Sequence, residues 1–386
     1  MTKIVGEWLN KAETQTLFDL YEAEGYQLFF VGGCVRNALL GEDVSDIDMC
    51  SNAPPDVADH FLKTAGIRVI PTGLDHGTLT VVSAGTPHEI TTFRKDMATD
   101  GRRAVVAFSD NIADDARRRD FTINALYADR FGQIVDPLGG LEDIPSRRIR
   151  FIEDPHARIQ EDYLRILRFF RFHGRLSRQA PEADTLDAIA RNIEGLGQLS
   201  VERVTSELLK ILGLADPAFT VGIMEQVGVL QAVLPGANMK YLSLLIHFED
   251  VLNLPPDPLA RLTALGGENM VDALRLSKVQ GKSVLLMHDN VGTGLSPAAL
   301  GHAFGAQTAL NIIALRSAIF ETIPPENATS EVERGESDVF PVKASDLSEA
   351  FSGVTMGRRL KQLKAAWYRS DLKLSKAALL SLPNDA

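Results

Sequence analysis

The period of the apolar residues changes once along this chain, near residue 159, and that change limits the folds open to it. Before about residue 140, short apolar or alternating runs are mixed with helical stretches. Glu13 to Glu24 carries a helical pattern closed by Gly25, and Gln27-Leu28-Phe29-Phe30-Val31 reads as a buried strand running into Gly32-Gly33. Val35 to Leu40 reads as a short helix closed by Gly41, Ser45 to Cys50 as a strand, and Pro54-Pro55 as the opening of a helix to Lys63. Ile67–Pro71, Leu79–Ser83 and His88–Phe93 read as further strands, and the polar stretch Arg94 to Asp114 as a mobile loop. From Ile159 onward helical periods dominate, over Ile159–His173, Thr185–Ile193, Val201–Leu212, Phe219–Val229 and Met356–Arg369, with Pro and Gly clusters between them. The expectation is an α/β head with a mixed sheet over 1–140, then an all-α remainder: a neck over 141–212 and a body and tail over 213–386.

A chain of 386 residues with 45% hydrophobic content has enough apolar surface for two or three packed domains. Its two cysteines, Cys34 and Cys50, cannot by themselves build a disulfide framework or a zinc cluster. The N-terminal residues do not read as a signal peptide, and no stretch approaches 18 uninterrupted apolar residues, so a soluble, cytoplasmic protein is expected. The net charge of −11 argues against a polyphosphate partner only as an average. Residues 1–93 hold 5 basic and 13 acidic side chains, whereas residues 94–178 hold 17 basic and 14 acidic, 16 of the basic ones being Arg. Arginine at that density suits bidentate recognition of phosphates and base edges, although a solvated, salt-bridged helix face has the same composition.

Three motifs carry chemistry. In the first, Gly32-Gly33-Cys34-Val35-Arg36-Asn37 precedes Asp46-Ile47-Asp48. Two carboxylates at i and i+2 of a strand point the same way and can hold a divalent cation such as Mg²⁺, which prefers oxygen ligands and shares them with phosphates. The Gly-Gly turn lets backbone N–H groups approach a triphosphate. Either feature alone is common, but their order points to metal-dependent phosphoryl chemistry. Glu89, opening Glu89-Ile90-Thr91-Thr92-Phe93, completes a carboxylate triad if its strand lies beside the Asp-x-Asp strand, and is otherwise an exposed strand-end acid.

The second motif is Arg117-Arg118-Arg119-Asp120-Phe121-Thr122-Ile123-Asn124-Ala125. Arg119 suits a triphosphate and Asp120 a ribose hydroxyl, or else Asp120 is merely the acid of a helix start. The third is Glu161-Asp162-Tyr163-Leu164-Arg165-Ile166-Leu167-Arg168-Phe169-Phe170-Arg171. At helical spacing Asp162, Arg165 and Arg168 share a side, giving either an i,i+3 ion pair or an acceptor and a donor fork that read a base edge.

In this order the three motifs resemble those of the class II CCA-adding enzymes, the CCA tRNA nucleotidyltransferases of the polymerase-beta-like nucleotidyltransferase superfamily, which are similar to bacterial poly(A) polymerases. The resemblance runs from about Phe29 to Leu212. It takes in Pro71-Thr72-Gly73-Leu74-Asp75-His76-Gly77-Thr78, Asp136-Pro137-Leu138-Gly139-Gly140 and Glu202-Arg203. It implies addition of C, C and A to the 3′ end of tRNA from CTP and ATP, with Asp46 and Asp48 on two Mg²⁺ ions. It further implies Gly33, Arg36, Arg119, Arg168 and Arg171 around the nucleotide, Asp120 at the ribose, and Asp162 with Arg165 reading the base. Asp96 and Asp100-Gly101-Arg102-Arg103 resemble the element that switches C to A addition, and Asn37 stands where the family most often has Asp. The tRNA is the expected macromolecular partner, with Arg358, Arg359, Lys361, Lys364 and Arg369 as candidate phosphate contacts; membrane and DNA are not expected.

Overall fold

In the computed structural model, which describes residues 2–73, 77–99, 104–177 and 179–384 (backbone only at 72, 96–99 and 104–106), the chain forms two compact units, divided after Ser200. Leu74-Asp75-His76, Asp100-Gly101-Arg102-Arg103, Arg178 and the Asp96 side chain lie outside the described residues.

In the first unit, seven strands pair in the order β3 (Arg68–Gly73), β4 (Thr78–Ser83), β5 (Thr86–Thr92), β2 (Asp48–Ser51), β1 (Leu28–Val31), β8 (Tyr127–Ala128), β9 (Ile134–Val135). Every neighbouring pair is antiparallel except β2 and β5. Register aligns Phe30, Met49, Ile90 and Leu79 across four strands, and all four are buried. Phe30 packs in this row against Phe18 of helix α1 (Ala12–Ala23), ring centroids 5.0 Å apart, a burial that contributes about 2–3 kcal/mol. The opposite face carries Phe29, Cys50 and, at one end, Asp48 and Glu89.

Helix α2 (Gly33–Leu40) follows β1, and α3 (Pro55–Thr64) follows β2. The segment read as a mobile loop is instead a hairpin of β6 (Arg94–Thr99) and β7 (Ala104–Phe108), followed by α4 (Ile112–Arg117). The β-branched and aromatic run Val105-Val106-Ala107-Phe108 supplies the strand tendency that the polar flanks masked. Helices α5 (Asp143–Ser146), α6 (Pro155–Glu161), α7 (Leu164–Leu176) and α8 (Ala183–Arg191) complete this unit.

The second unit is all-helical among its described residues: α9 (Val201–Leu212), α10 (Ala218–Gln226), α11 (Val229–Val233), α12 (Leu242–Val251), α13 (Pro258–Leu265), α14 (Met270–Ala273), α15 (Lys278–Val291), α16 (Pro297–Phe304), α17 (Ala306–Phe320), α18 (Ala328–Ser337), α19 (Gly353–Arg369) and α20 (Lys376–Leu380). The fold is therefore the expected one, a mixed-sheet α/β head followed by helices. The core of the second unit gathers Leu245, Met287, Ile312, Leu315 and Val332 from α12, α15, α17 and α18. Arg359, one of the basic residues expected on an exposed face of α19, is instead buried, donating to the carbonyls of Pro383 at 2.8 Å and of Leu382. No described helix is long and apolar enough to cross a membrane.

Candidate active site

The parallel pairing of β2 and β5 places Asp48 opposite Glu89, so two carboxylates share one face of the sheet at its solvent end. Partial burial raises the Asp48 carboxyl above its ordinary range; the charges of Glu89 and Asp46 add to the rise, and Arg119 opposes it. Asp46 itself is not on the strand, contrary to the sequence pattern. It lies in the irregular stretch 42–47, exposed, accepting from Ser45 Oγ at 3.1 Å. Extending the β2–β5 register would set Asp46 against Pro87, which has no N–H for a ladder, so pairing begins only at Asp48. Among the described residues no group of three or more His, Cys, Asp or Glu side chains is arranged to hold a metal. What stands there is a pair of aspartates with excess negative charge beside Glu89, a set that fits a divalent cation completing its shell from phosphate and water oxygens.

The Gly-Gly turn faces this edge. Gly32 has φ +70°, a strained value for any L side chain, and a Cβ there would lie 3.4 Å from Arg119 Nη1. Gly33 begins α2, and one turn later Arg36 is only 4% exposed. Its Nη1 donates to Asn124 Oδ1 at 2.5 Å, while Nε and Nη2 donate to Asn37 Oδ1 at 3.2 and 2.9 Å. Burial, helped by the nearby charge of Arg175, lowers the Arg36 pKa to about 10.

Arg119 is fixed by Asp115, a fully buried residue on α4. One Asp115 oxygen accepts from Arg119 Nη2 at 3.0 Å and from the Tyr127 hydroxyl at 2.9 Å, and the other from Arg118 Nε at 2.8 Å. Burial pushes the Asp115 carboxyl up, but Arg119 and Arg118 outweigh it and hold it below the usual range. Asp120, also buried, accepts from Phe121 N and Asn124 Nδ2, both at 2.9 Å, through Oδ1, and from Arg168 Nε at 2.7 Å and Nη2 at 2.5 Å through Oδ2. Here too burial is outweighed, by the Arg168 guanidinium, and the carboxyl is lowered.

The third motif departs from its expected geometry. The helix read over Ile159–His173 is two helices, and Asp162 sits between them in extended conformation with its Oδ1 accepting from Leu164 N at 3.1 Å. A short acid that bonds the backbone two residues on competes with helix continuation and starts a new one. The i,i+3 ion pair of Asp162 with Arg165 is therefore replaced by an i,i+4 pair of Arg165 with Glu161, at 2.6 Å. Arg165 also donates to the carbonyls of Arg158 at 2.8 Å and Arg118 at 3.0 Å. That uses three of the five N–H groups of a guanidinium. Arg165 and Arg168 do lie on α7 as expected, and Arg171 joins them.

Phe172 gathers the arginines. Its ring lies 5.1 Å from the Arg36 guanidinium, 5.6 Å from that of Arg168 and 4.4 Å from that of Arg171. The ring face attracts each guanidinium through its quadrupole, which offsets part of their mutual repulsion. Asp115, Glu161 and Phe172 were not singled out from sequence. The two acids had a usable signal, their i,i+3 and i,i+4 spacing to Arg118, Arg119 and Arg165, whereas Phe172 had none.

The family described as Poly A polymerase head domain matches residues 28–150, and that described as Probable RNA and SrmB- binding site of polymerase A matches residues 180–240. The mitochondrial CCA tRNA nucleotidyltransferase 1 of Danio rerio is 32% identical over 393 residues, spanning 95% of this chain and 89% of that protein. The CCA-adding enzyme of Oceanobacillus iheyensis is 44% identical over 191 residues, 49% of this chain and 46% of that one. The solved structure of the Bacillus stearothermophilus CCA-adding enzyme in complex with CTP superposes with a TM-score of 0.75 at 25% identity, covering 93% of each chain. A relative 32% identical over 95% of this chain and 89% of its own length shows the family: the chain belongs to the CCA tRNA nucleotidyltransferases, the CCA-adding enzymes.

Proposed function

We propose that the chain adds C, C and A in turn to the 3′ end of tRNA, using CTP and ATP and releasing pyrophosphate. The observation that carries this reading is the Asp48–Glu89 register beside Arg119, a concentration of acid facing a concentration of arginine, as a cation and a triphosphate need. Asp46 and Asp48 would hold Mg²⁺; when bound, the cations supply activation of the 3′-hydroxyl and neutralisation of charge on the leaving pyrophosphate. The 3′ oxygen bonds to the α-phosphorus, the bond from that phosphorus to the β-phosphate oxygen breaks, and Glu89 accepts the hydroxyl proton. Gly33, Arg36, Arg119, Arg168 and Arg171 orient the triphosphate.

The Asp162 carboxylate accepts from the exocyclic amine of cytosine or adenine, and Arg165 donates to the ring acceptors. Its Nε–H and one Nη2–H, uncommitted among the described contacts, suit that task. Uracil and guanine present a carbonyl to Asp162 instead, a mismatch that a site built on hydrogen bonds rejects strongly. Asp120 has its acceptor positions filled, so it meets a ribose hydroxyl only in exchange for one of its present donors. Residues 213–386 form the tRNA-binding body and tail, with exposed Arg358, Lys361 and Arg369 as phosphate contacts.

The test is terminal addition to a tRNA lacking its 3′ CCA. CTP and ATP together should give three added residues and then arrest. Long A tails from ATP alone would replace this reading with a poly(A) polymerase.

A further inference from the structure

The junction between α6 and α7 is two residues long, Asp162 and Tyr163. The bond from Leu164 N to Asp162 Oδ1 is local and moves with the junction. One side of it is anchored by Arg165, through Glu161 at 2.6 Å and the Arg158 carbonyl at 2.8 Å. Tyr163 anchors the other. A Cβ built on Gly195 would overlap Cγ, Cδ1 and Cε1 of the Tyr163 ring, so the ring rests on bare glycine backbone. Gly195 does not have a positive φ, and the nearest obstacle to a side chain there is that ring.

The seat is itself held in place. Gly195 is buried in the 3₁₀ turn Ile193–Gln198, and its N–H donates to the Asn192 carbonyl at 3.0 Å. Asn192, 5% exposed, donates through Nδ2 to the Ala188 carbonyl of α8 at 2.7 Å, and the same nitrogen lies 2.7 Å from His156 Nδ1 of α6. Asp162 precedes Tyr163 in extended conformation, with φ −154° and ψ 104°. One planar peptide joins the two residues, so a shift of Tyr163 carries the Asp162 carboxylate with it. A carboxylate that reads a base edge tolerates little of that, because hydrogen bonds weaken steeply with distance and angle.

We propose that Tyr163, seated on the backbone of Gly195, is a positioning residue for base selection, holding the Asp162 carboxylate at the place where it discriminates between bases. The proposal rests on the reading of Asp162 as the acceptor for the base, and the experiment separates the two. The full chain is compared with Tyr163→Phe, Tyr163→Ala, Gly195→Ala and Asp162→Ala. Gly195→Ala forces the ring away, whereas Tyr163→Ala withdraws it without a clash, so the test does not hang on one variant folding. The readouts are kcat/KM for CTP and for UTP on a tRNA lacking its 3′ CCA, and the melting temperature.

Tyr163→Phe should keep the parent's CTP-to-UTP ratio. Tyr163→Ala and Gly195→Ala should each lower it by about tenfold or more, as a misplaced hydrogen-bonding group does. The double variant should be no worse than Tyr163→Ala alone, because both changes act through one contact. If Asp162→Ala collapses the ratio while Tyr163→Ala keeps it and only melts earlier, the positioning role is wrong and the base reading stands. Loss of the ratio in Tyr163→Phe would move the effect to the hydroxyl and overturn the seat. If Asp162→Ala leaves the ratio unchanged, both fall.

Discussion

Arg168 reaches Asp120 across 48 residues of chain and places two guanidinium nitrogens on one carboxylate oxygen, at 2.7 and 2.5 Å. The pair ties α7 to the segment after α4, and Asp120 is 7% exposed while Arg168 is 34% exposed. Asp120→Asn keeps the shape and removes the charge. With one partner partly solvated, the expected loss is about 1–3 kcal/mol in urea unfolding at pH 7, less than for a fully buried pair.

Acid should find the same residues. The Asp115 and Asp120 carboxyls lie below the usual range in the folded chain, because arginine charge outweighs burial. A lowered folded pKa stabilises above the unfolded value, about 3.9 for Asp, and that stability is lost as pH falls through the folded value. The urea midpoint should be flat in this respect above about pH 5 and fall below about pH 4. Asp120→Asn should make the acid fall shallower; an unchanged slope would show that these pairs do not govern it.

Asp48 predicts the opposite sign. Its carboxyl is raised, so the folded chain holds the charged form at a disadvantage at neutral pH. Asp48→Asn should leave stability unchanged or slightly higher without metal, while nucleotide incorporation falls by about a thousandfold or more. Thermal unfolding in EDTA and a primer-extension rate check the two halves separately.

Phe172→Leu removes the ring between three guanidiniums while keeping an apolar side chain. Each contact contributes on the order of 0.5–1 kcal/mol, so KM for CTP and ATP should rise together severalfold with their ratio unchanged. Steady-state kinetics with each nucleotide decide it; a selective effect on one base would place Phe172 at the base instead.

In the second unit, Arg261 and Glu249 are a buried pair, 1% and 4% exposed, joined at 2.6 Å. Arg261 also donates to the carbonyls of Leu212 at 2.7 Å, Leu214, and Ala215 at 3.1 Å, closing the end of α9. Arg261→Met should destabilise by about 3–5 kcal/mol, because Glu249 is left charged and unpaired. Adding Glu249→Leu should recover part of that loss, measured by urea unfolding of the double variant.

What could be read in advance followed periodicity, and what could not followed competition between local and distant bonds. Val201–Leu212 was read with its observed ends because its apolar stripe is regular. The single helix read over Ile159–His173 failed at Asp162, where side-chain capping beats a continuous apolar period. Asp46 fell off its strand because of a proline on a neighbour that sequence order places 41 residues away. The acids and arginines of the site were legible as types. Their pairing was not: no acid lies three or four residues before Arg168, and the fold gives it Asp120 from 48 residues away. Phe172 carries no such sequence signal; it is 5% exposed, buried like the core phenylalanines beside it.

The one parallel pairing among the described strands of the sheet has a kinetic consequence. The antiparallel strands β4 and β5 can zip from a turn, but β2 and β5 join only after the chain between them has made α3, β3 and β4 and come back. Asp48 and Glu89 therefore meet through a contact that cannot form early, when loop closure is still unrewarded. On dilution from denaturant the helices should reappear before nucleotide incorporation, which waits for the 41-residue closure of β2 on β5 and the longer closure of β1 on β8.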